Sequence, residues 1–455
     1  MNFLSRIKEV IFRMFGKTQV SQAVGVNSAV SDSMQSAIEL WCAMYRNEAP
    51  WLSESVRSKN LAAAISAEFA RLVTLEFHSE LTGGKRAEFL ADEYKKIISA
   101  APVFCEYACA KGGLMLKPYI SGEKIVTAYV QADSFFPTAF DASGNITGCV
   151  FADRKVRGRQ YYTRLEYHDF SESSYVVRNT AYVSDSKESI GRQISLTTIP
   201  EWADLREEVS IANAKRPLFS YFKMPGANSI DSSSPLGISV FARAIDSIRQ
   251  ADEQYSRLLW EFKGSELAVH VDDTMLELSS DGKGHLPKLD RRLYRGLSFE
   301  GGGEISVFSP SIRDQSLLNG LEAILRDVEF LSGLAYGSLS KSAETAKTAT
   351  EIKTSRQRSY CTVSAIQKAL QKALESHVEA MEMLCDIYSL APRDKVEQSF
   401  DFDDSLVTDT EYEQKIWLQE VSAGLMSPVE YRMKRYGETE EQAQAAIPQS
   451  FEGDE

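Results

Sequence analysis

The stretch Ser234–Phe262, SPLGISVFARAIDSIRQADEQYSRLLWEF, decides how the rest of the sequence is organised. After Pro235 and Gly237, large apolar residues recur at the spacing of a helix that buries one face. The apolar positions are Phe241, Ile245, Ile248, Tyr255, Leu259 and Phe262. Charged residues fill the other faces, and a helix from Ile238 to Lys263 would be about 40 Å long. The stretch therefore predicts a long amphipathic helix.

A second long helix is predicted further along the chain. Residues 265–310, between the two helices, are rich in glycine and β-branched residues, which favours a small β module. Ser311 and Asp314 then form a capping pattern, and apolar residues follow at alternating spacings of four and three. These residues are Leu317, Leu321, Ile324, Val328 and Leu331. Two long helices thus flank a β-containing module.

The sequence before this helix pair predicts an α+β fold. Residues 33–112 carry apolar residues at helical spacing, whereas from Gly113 to Asp185 short β-branched and aromatic runs alternate with turn residues. That alternation is typical of an antiparallel meander, and its combination with helices defines the α+β class.

The sequence after the helix pair is mostly helical. No glycine or proline occurs between Gly337 and Pro392, and the later part of this run has an apolar stripe. The stripe consists of Val363, Ile366, Leu370, Ala373, His377, Met381 and Leu384. The first part, SKSAETAKTATEIKTSRQRS from Ser340 to Ser359, is instead polar and basic. Three short helices are predicted after it: one after VTDTEYEQ, one after Ser427 and one after Thr439.

Composition and charge exclude several classes of protein. The 455 residues carry a net charge of −13 with a pI of about 5.2, which argues against broad nucleic-acid affinity. Six dispersed cysteines favour reduced thiols without disulfides. No window approaches a membrane span or a secretory signal. The N-terminal segment has Leu4, Ile7, Ile11 and Met14 at helical spacing, which favours a helix packed on protein over one on a membrane surface.

Catalytic and metal-binding motifs are missing from the sequence. Gly16-Lys17-Thr18 and Gly83-Gly84-Lys85 lack the leading glycine of a phosphate-binding loop. The pair Cys105 and Cys109 has no second pair at zinc-site spacing, and the five histidines stand singly. We therefore expect no catalytic residue, no metal and no cofactor, and we expect that the protein is not an enzyme.

The order of these parts resembles the portal proteins of tailed bacteriophages, specifically the siphophage type. Five stretches carry the likeness, which covers nearly the whole chain. They are KGGLMLKPYISGEKIVTAYVQADSFFPTAFDASGNITGCVFADR (111–154), the opening stretch (234–262), ETAKTATEI (344–352), FDDSLVTDTEYEQ (402–414) and GLMSPVEYRMKRYG (424–437).

The resemblance implies a division of the chain into named parts. A wing would span 1–235, helical at first and antiparallel β from about 113. A clip at 265–310 would separate two stem helices, 236–264 and 311–335. A tunnel loop at 336–350, a long wing helix at 351–395 and a helical crown at 396–455 would complete the subunit.

The resemblance also implies where the functional residues lie. The tunnel loop would meet DNA in a channel through Ser340, Lys341, Lys347 and Thr348. The clip would dock other proteins through Arg291, Arg292 and Arg295. Neighbouring subunits would meet along the first stem helix through Arg243, Asp246, Arg249, Asp252, Arg257 and Glu261. We expect Arg356 and Arg358 to serve neighbouring subunits and not DNA.

The implied function is that of a ring of about twelve subunits at one capsid vertex, through which double-stranded DNA is packaged and ejected without sequence specificity. Its expected partners are the terminase large subunit, a head-tail adaptor, and the major capsid and scaffolding proteins, with no membrane. The ring would be assembled in the host cytoplasm and end in the virion. The alternatives are a head-tail adaptor or another capsid-associated structural protein without a channel, and an enzyme of unrecognised type.

Overall fold

The computed structural model describes residues 17–171, 174–272, 277–278, 284–285, 294–297, 305–341, 349–402, 417–436 and 438–447. The chain divides into a larger unit, residues 1–75 with 79–400, and a smaller one, residues 76–78 with 401–455. Both helices and antiparallel sheets build the larger unit, which confirms the predicted α+β class.

Within the described residues, which begin at residue 17, four helices and one strand precede the sheets. They are α1 (Lys17–Val24), α2 (Asp32–Tyr45), α3 (Leu61–Thr74), β1 (Phe77–Gly83) and α4 (Lys85–Lys111). The helical prediction for residues 33–112 is therefore confirmed for α2, α3 and α4. It is wrong for residues 46–60, which are not helical, and for β1, which pairs with β16 (Val396–Phe402). That pairing joins segments more than 300 residues apart, as in the hydrogen bond from Ser79 Oγ to Ser399 O, so no local pattern could reveal it.

Two antiparallel sheets follow where the meander was predicted. One has the order β10-β2-β3, from Ser220–Lys223, Gly113–Ser121 and Lys124–Gln131. The other has the order β4-β5-β6-β7-β8, with β9 also paired to β7. Its strands are Phe135–Phe140, Ile146–Arg157, Gln160–Phe170, Tyr175–Ser184, Arg192–Ile194 and Glu208–Ile211. The meander prediction is confirmed, but β10 divides it by pairing with β2.

A buried ionic network joins the two sheets. Lys117 Nζ on β2 lies 2.5 Å from Glu166 Oε2 on β6, and Arg164 Nη1 lies 2.9 Å from the same oxygen. His168 Nε2 lies 2.7 Å from the other oxygen, Oε1, and His168 Nδ1 lies 2.6 Å from Tyr175 Oη. Burial opposes ionisation of Glu166, yet Lys117, His168 and Arg164 hold the pKa of Glu166 well below its ordinary value. Each charge of this network has its partners inside the chain.

The long helix α7 (Ala349–Tyr388) completes the core of the larger unit. Its 40 residues span about 60 Å, and all seven predicted stripe residues, Val363 to Leu384, are buried. The helix packs on β10 and β2, and Ser220 Oγ on β10 donates to Ala373 O at 2.6 Å. His377 Nε2 lies 2.8 Å from Thr127 Oγ1 on β3.

The first helix of the pair, α5 (Ile245–Gly264), begins later than predicted. A short 3₁₀ turn, Ala242–Ala244, precedes it, and residues from Ile238 to Phe241 are not helical. Their backbone is bonded elsewhere, since Val240 N donates to Cys109 O at 3.0 Å. Gly237 packs so closely on α4 that a Cβ there would lie 2.2 Å from Gly112 O. At about 30 Å, α5 is shorter than the 40 Å expected.

Five short strands lie in the described residues of the module between the helices, and α6 (Asp314–Ser332) follows the module. The strands are Ala268–Asp272, Glu277–Leu278, Gly284–His285, Tyr294–Leu297 and Ile305–Phe308, numbered β11 to β15. β11 lies between β14, to which it is parallel, and β15, to which it is antiparallel.

Two capped helices are described in the smaller unit, α8 (Pro428–Tyr436) and α9 (Glu440–Ala445), after a helical segment at 417–422. Ser427 Oγ accepts from Glu430 N at 3.1 Å while Glu430 Oε2 accepts from Ser427 N at 3.1 Å. Thr439 and Gln442 form the same reciprocal capping box. Both predicted caps are confirmed, whereas the start of the helix predicted after VTDTEYEQ lies outside the described residues.

Candidate functional site

One carboxylate joins the two helices α5 and α6 where α5 ends and α6 begins. Glu261, near the end of α5, accepts from Arg313 Nε at 3.1 Å, from Arg313 Nη2 at 2.8 Å and from the Arg313 backbone N–H at 3.2 Å. These hydrogen bonds lower the pKa of Glu261. Arg313 is the N-cap of α6, so a residue of the other helix performs the capping that we predicted for Ser311. The capping prediction at Ser311 is therefore wrong.

A second carboxylate ties α5 to the loop that precedes α3. Asp252 Oδ2 accepts from Trp51 Nε1 at 2.9 Å, and Asp252 Oδ1 accepts from Lys59 N at 2.7 Å. One turn later, Ser256 Oγ accepts from Arg57 N at 2.7 Å. Burial raises the pKa of Asp252. This side of α5 is therefore occupied by the chain's own loop.

The six residues predicted for the subunit interface fall into three groups. Arg243, Asp246 and Arg257 are exposed. Arg249 is half-buried and donates to Glu253 Oε1 at 3.1 Å. Asp252 and Glu261 are buried and bonded within the chain, so the interface role predicted for these two is wrong. Spacing along a helix could not reveal which charges the subunit's own loop and second helix would take up.

Large apolar side chains are exposed on the same helix pair. At the end of α5, Trp260 is 68% exposed, and Leu259 and Phe262 are also exposed. Leu258 takes the buried position instead, so the predicted stripe is wrong at Leu259 and Phe262. On α6, Phe330 is 51% exposed, with Leu331 beside it. Such surfaces on a soluble protein are typical of contact sites for other chains.

The first residues of the predicted tunnel loop are held against α6 by Glu329. This side chain is fully buried, and its Oε1 accepts from the backbone N–H groups of Gly337 at 3.1 Å, Leu339 at 2.6 Å and Ser340 at 2.8 Å. Its Oε2 accepts from Ser340 Oγ at 2.9 Å. The side chain of Ser340 is thus turned inward, and Ser340 is only 7% exposed, which contradicts the channel contact predicted for it.

Lys341 is exposed, as a contact with DNA requires. Its backbone N–H donates to Glu322 Oε2 at 2.7 Å, so α6 also holds the main chain at this residue. Lys347 and Thr348, predicted for the same channel contact, lie outside the described residues. Within the described residues, the predicted tunnel loop therefore ends at the exposed Lys341, which directly follows the segment that Glu329 holds.

A cavity of about 450 Å³ lies between the segment that precedes α5, the end of α6 and α7. Its lining includes Arg243, Phe330 and Arg358, and it carries no aspartate or glutamate. The Arg358 guanidinium lies 4.3 Å from the centre of the Phe330 ring, a cation–π contact within the chain. The side chain of Arg356 lies outside the described residues.

The predicted clip residues are only partly visible. Arg291 and Arg292 lie outside the described residues. Arg295 belongs to β14, where its backbone is in register with His270 of β11.

Within the part of the chain that the structure describes, no three histidine, cysteine, aspartate or glutamate side chains are grouped to hold a metal ion. The described helices include none that is long and apolar enough to cross a membrane.

Glu329 is the residue that our sequence reasoning missed. The buried face of α6 consists of Leu321, Leu325, Val328, Ser332 and Glu329 itself. A carboxylate on an otherwise apolar helix face indicates a buried partner, because an unpaired buried charge is very unfavourable. That signal was present in the sequence.

A comparison with protein families now identifies the class of protein. The model for the family described as "Phage portal protein, SPP1 Gp6-like" matches residues 88–450. Because this match spans most of the sequence, the chain belongs to that family of phage portal proteins. A comparison with curated proteins finds no match.

Two solved structures are similar to the chain at low sequence identity. One is the neck of a native GTA particle computed with C12 symmetry: 12% identity, 92% of this chain and 98% of that chain covered, TM-score 0.43. The other is the neck of an empty GTA particle computed with C6 symmetry: 12% identity, 91% and 97% covered, TM-score 0.45. The family assignment rests on the sequence match and not on these structures.

Proposed function

We propose that this portal-family chain forms a closed ring at one capsid vertex, and that double-stranded DNA passes through the ring's channel during packaging and ejection. The observation that carries the proposal is the surface of the helix pair, where charges and aromatic side chains together stand exposed. The exposed residues of the helix pair and of the turn before it include Arg243, Asp246, Arg257, Trp260 and Phe330, which we together call the open face. A neighbouring copy would cover it, as expected for the head-to-tail contacts of a cyclic oligomer.

Both signs of charge occur on the open face. Arg243 and Arg257 are basic and Asp246 is acidic, so neighbouring copies placed in register can bring opposite charges together. Charge complementarity of this kind sets orientation and register more than it adds affinity. The apolar side chains Trp260 and Phe330 would supply the buried area of the contact.

The charge of the whole chain suits a conduit. Twelve copies at −13 each give a ring of about −156, which repels a polyanion and keeps it from adhering. Lys341 and Lys347 would supply the weak, mobile phosphate contacts, since a lysine on a flexible stem binds less tightly than a bidentate arginine. The predicted wing, clip and crown are part of the same proposal.

The partners follow from the same proposal. The clip would dock the terminase large subunit and later a head-tail adaptor, with Arg291, Arg292 and Arg295 on its surface. The major capsid and scaffolding proteins would surround the ring, which would assemble in the host cytoplasm and remain in the virion. The portal protein family is structural, and we propose no enzymatic activity for this chain.

The experiment that tests the channel is the double variant Lys341→Ala with Lys347→Ala. We expect rings of normal mass but less DNA packaged or retained in particles, because the lysines would face the DNA and not a neighbouring subunit. The matched control is Lys124→Ala with Lys187→Ala, which removes the same charge from exposed wing positions. Failure of the channel double variant to assemble, without a separate packaging defect, would contradict the channel role of these lysines.

A further inference from the structure

The segment between α6 and Lys341 turns sharply back onto the helix that it leaves. Gly333 ends α6 with φ 84°, and the N–H groups of Gly333 and Leu334 both donate to Glu329 O at 3.0 Å. A second turn follows, in which Ser338 N donates to Ala335 O at 3.2 Å and Gly337 has φ 94°. Glycine adopts this positive φ without the strain that a side chain would add.

This path brings the donors of residues 337–340 to a single carboxylate. Both oxygens of Glu329 are occupied, three bonds coming from backbone N–H groups and one from the Ser340 hydroxyl. Within the described residues, the hydrogen bonds to this buried carboxylate therefore come from this segment.

We propose that Glu329 is the positioning residue of the predicted channel segment: it latches residues 337–340 onto α6, so that the chain is held on this helix up to the residue before Lys341. We call residues 337–340 together with Glu329 the latch. Leaving a buried carboxylate without donors is strongly unfavourable, so the segment stays on the helix. Lys341 is held more weakly, by one backbone hydrogen bond to the half-buried Glu322.

The latch has a mechanical consequence for the proposed ring. Because the side chain and the carbonyl of one residue bind both turns, a shift of α6 carries residues 337–340 with it. Each copy would then present Lys341 at the same height in the channel. This step rests on the proposed function, whereas the latch itself does not.

The test begins with the purified full-length protein and Glu329→Gln. In this variant an amide NH₂ group replaces one carboxylate oxygen, and it cannot accept hydrogen bonds from N–H donors. We therefore expect residues 337–340 to separate from α6. We expect the backbone amides of residues 339 and 340 to exchange hydrogen about tenfold faster or more, with the amides in the middle of α6 unchanged. Ser340→Ala keeps the three backbone donors and should produce a smaller increase at the same amides.

Two control variants separate the latch from general loss of stability. Glu322→Gln should accelerate exchange at residue 341 and leave residues 339 and 340 unchanged. Glu93→Gln alters another buried carboxylate, which accepts from Thr127 N at 2.9 Å in the wing, and should leave exchange of the latch unchanged. Unchanged exchange at residues 339 and 340 in both Glu329→Gln and Ser340→Ala would overturn the latch.

DNA retention in assembled particles then tests the positioning role. We expect Glu329→Gln to form rings of normal mass that retain less DNA, whereas Glu93→Gln rings retain it. Normal retention by Glu329→Gln rings whose latch has opened would overturn that role. If the Lys341 and Lys347 double variant packages normally while Glu329→Gln still opens the latch, the channel proposal fails and the latch stands.

Discussion

The wing and the helix pair both contain buried carboxylates and nearby cations, but they use them differently. In the predicted wing, Glu166 is surrounded by Lys117, Arg164 and His168 of the same chain. On the helix pair, Asp252, Glu261 and Glu329 are satisfied too, yet Arg243, Asp246 and Arg257 beside them stand exposed. The difference is that the charges of the Glu166 network have partners within the chain, whereas the helix pair leaves charged side chains exposed, and it is there that we propose a neighbouring copy binds.

The largest effect on stability is expected in the wing network. Glu166→Ala leaves Lys117 and Arg164 buried without their carboxylate, which should lower the free energy of unfolding by about 3–5 kcal/mol. Urea denaturation followed by fluorescence measures this change. Glu201→Ala, which removes an exposed partner of Lys155 and Arg157, should change it by less than about 1 kcal/mol. Equal losses for the two variants would show that the buried network stabilises the fold no more than the exposed ion pairs of Glu201 do.

The next effect concerns the contact between the wing and the start of the helix pair. Gly237→Ala places a Cβ 2.2 Å from Gly112 O and 2.9 Å from Met224 N, so the backbone must shift. We expect the free energy of unfolding to fall by about 1–3 kcal/mol in the same denaturation assay. Gly264→Ala is the control, since its Cβ would meet only ordinary contacts at 3.7 Å or more. A neutral Gly237→Ala variant would mean that this junction is loosely packed.

Acid should destabilise the wing through His377. Burial lowers the pKa of His377 to about 3, from an ordinary value of 6.5. A base with a lowered pKa in the folded state favours folding above pH 6.5, and this contribution is lost as the pH falls towards 3. The loss is at most about 1.4 kcal/mol for each pH unit. Denaturation between pH 7 and pH 4 should show a shallower pH dependence for His377→Gln than for the natural chain. His78→Gln, at an exposed position, should keep the original dependence.

The smallest effect on folding, with a large effect on assembly, is expected on the open face. Arg243→Glu with Arg257→Glu should change the free energy of unfolding by no more than about 0.5 kcal/mol per substitution, because both side chains are exposed. The fraction of protein in rings, measured by light scattering, should nevertheless fall. Lys124→Glu with Lys187→Glu reverses the same amount of charge on the wing and should leave the rings intact. Rings of normal abundance in the first variant would remove these arginines from the interface.

The sequence predicted those features that depend on local pattern. The stripe from Val363 to Leu384 follows from helical periodicity, and the caps at Ser427 and Thr439 follow from residues three positions apart. The α+β class and the family likeness were also readable, since they depend on the order of such segments.

Features that depend on distant partners could not be read in this way. The late start of α5 depends on Cys109 and Gly112, and the capping of α6 depends on Glu261 of the other helix. Ser340 was predicted to face DNA because the family resemblance places it in the tunnel loop, but the carboxylate that turns it inward lies one helix earlier. A charged residue on an apolar helix face, such as Glu329, indicates that another part of the chain supplies its hydrogen-bond partners.

The most direct test of the proposed ring is its mass and its projection down the symmetry axis. Native mass spectrometry of the purified chain should give a closed particle of about twelve copies of 50.8 kDa, near 610 kDa in total. Electron microscopy of the same sample should show a central hole. A protein that stays at 50.8 kDa at every concentration, or that forms a disc without a hole, would contradict the account.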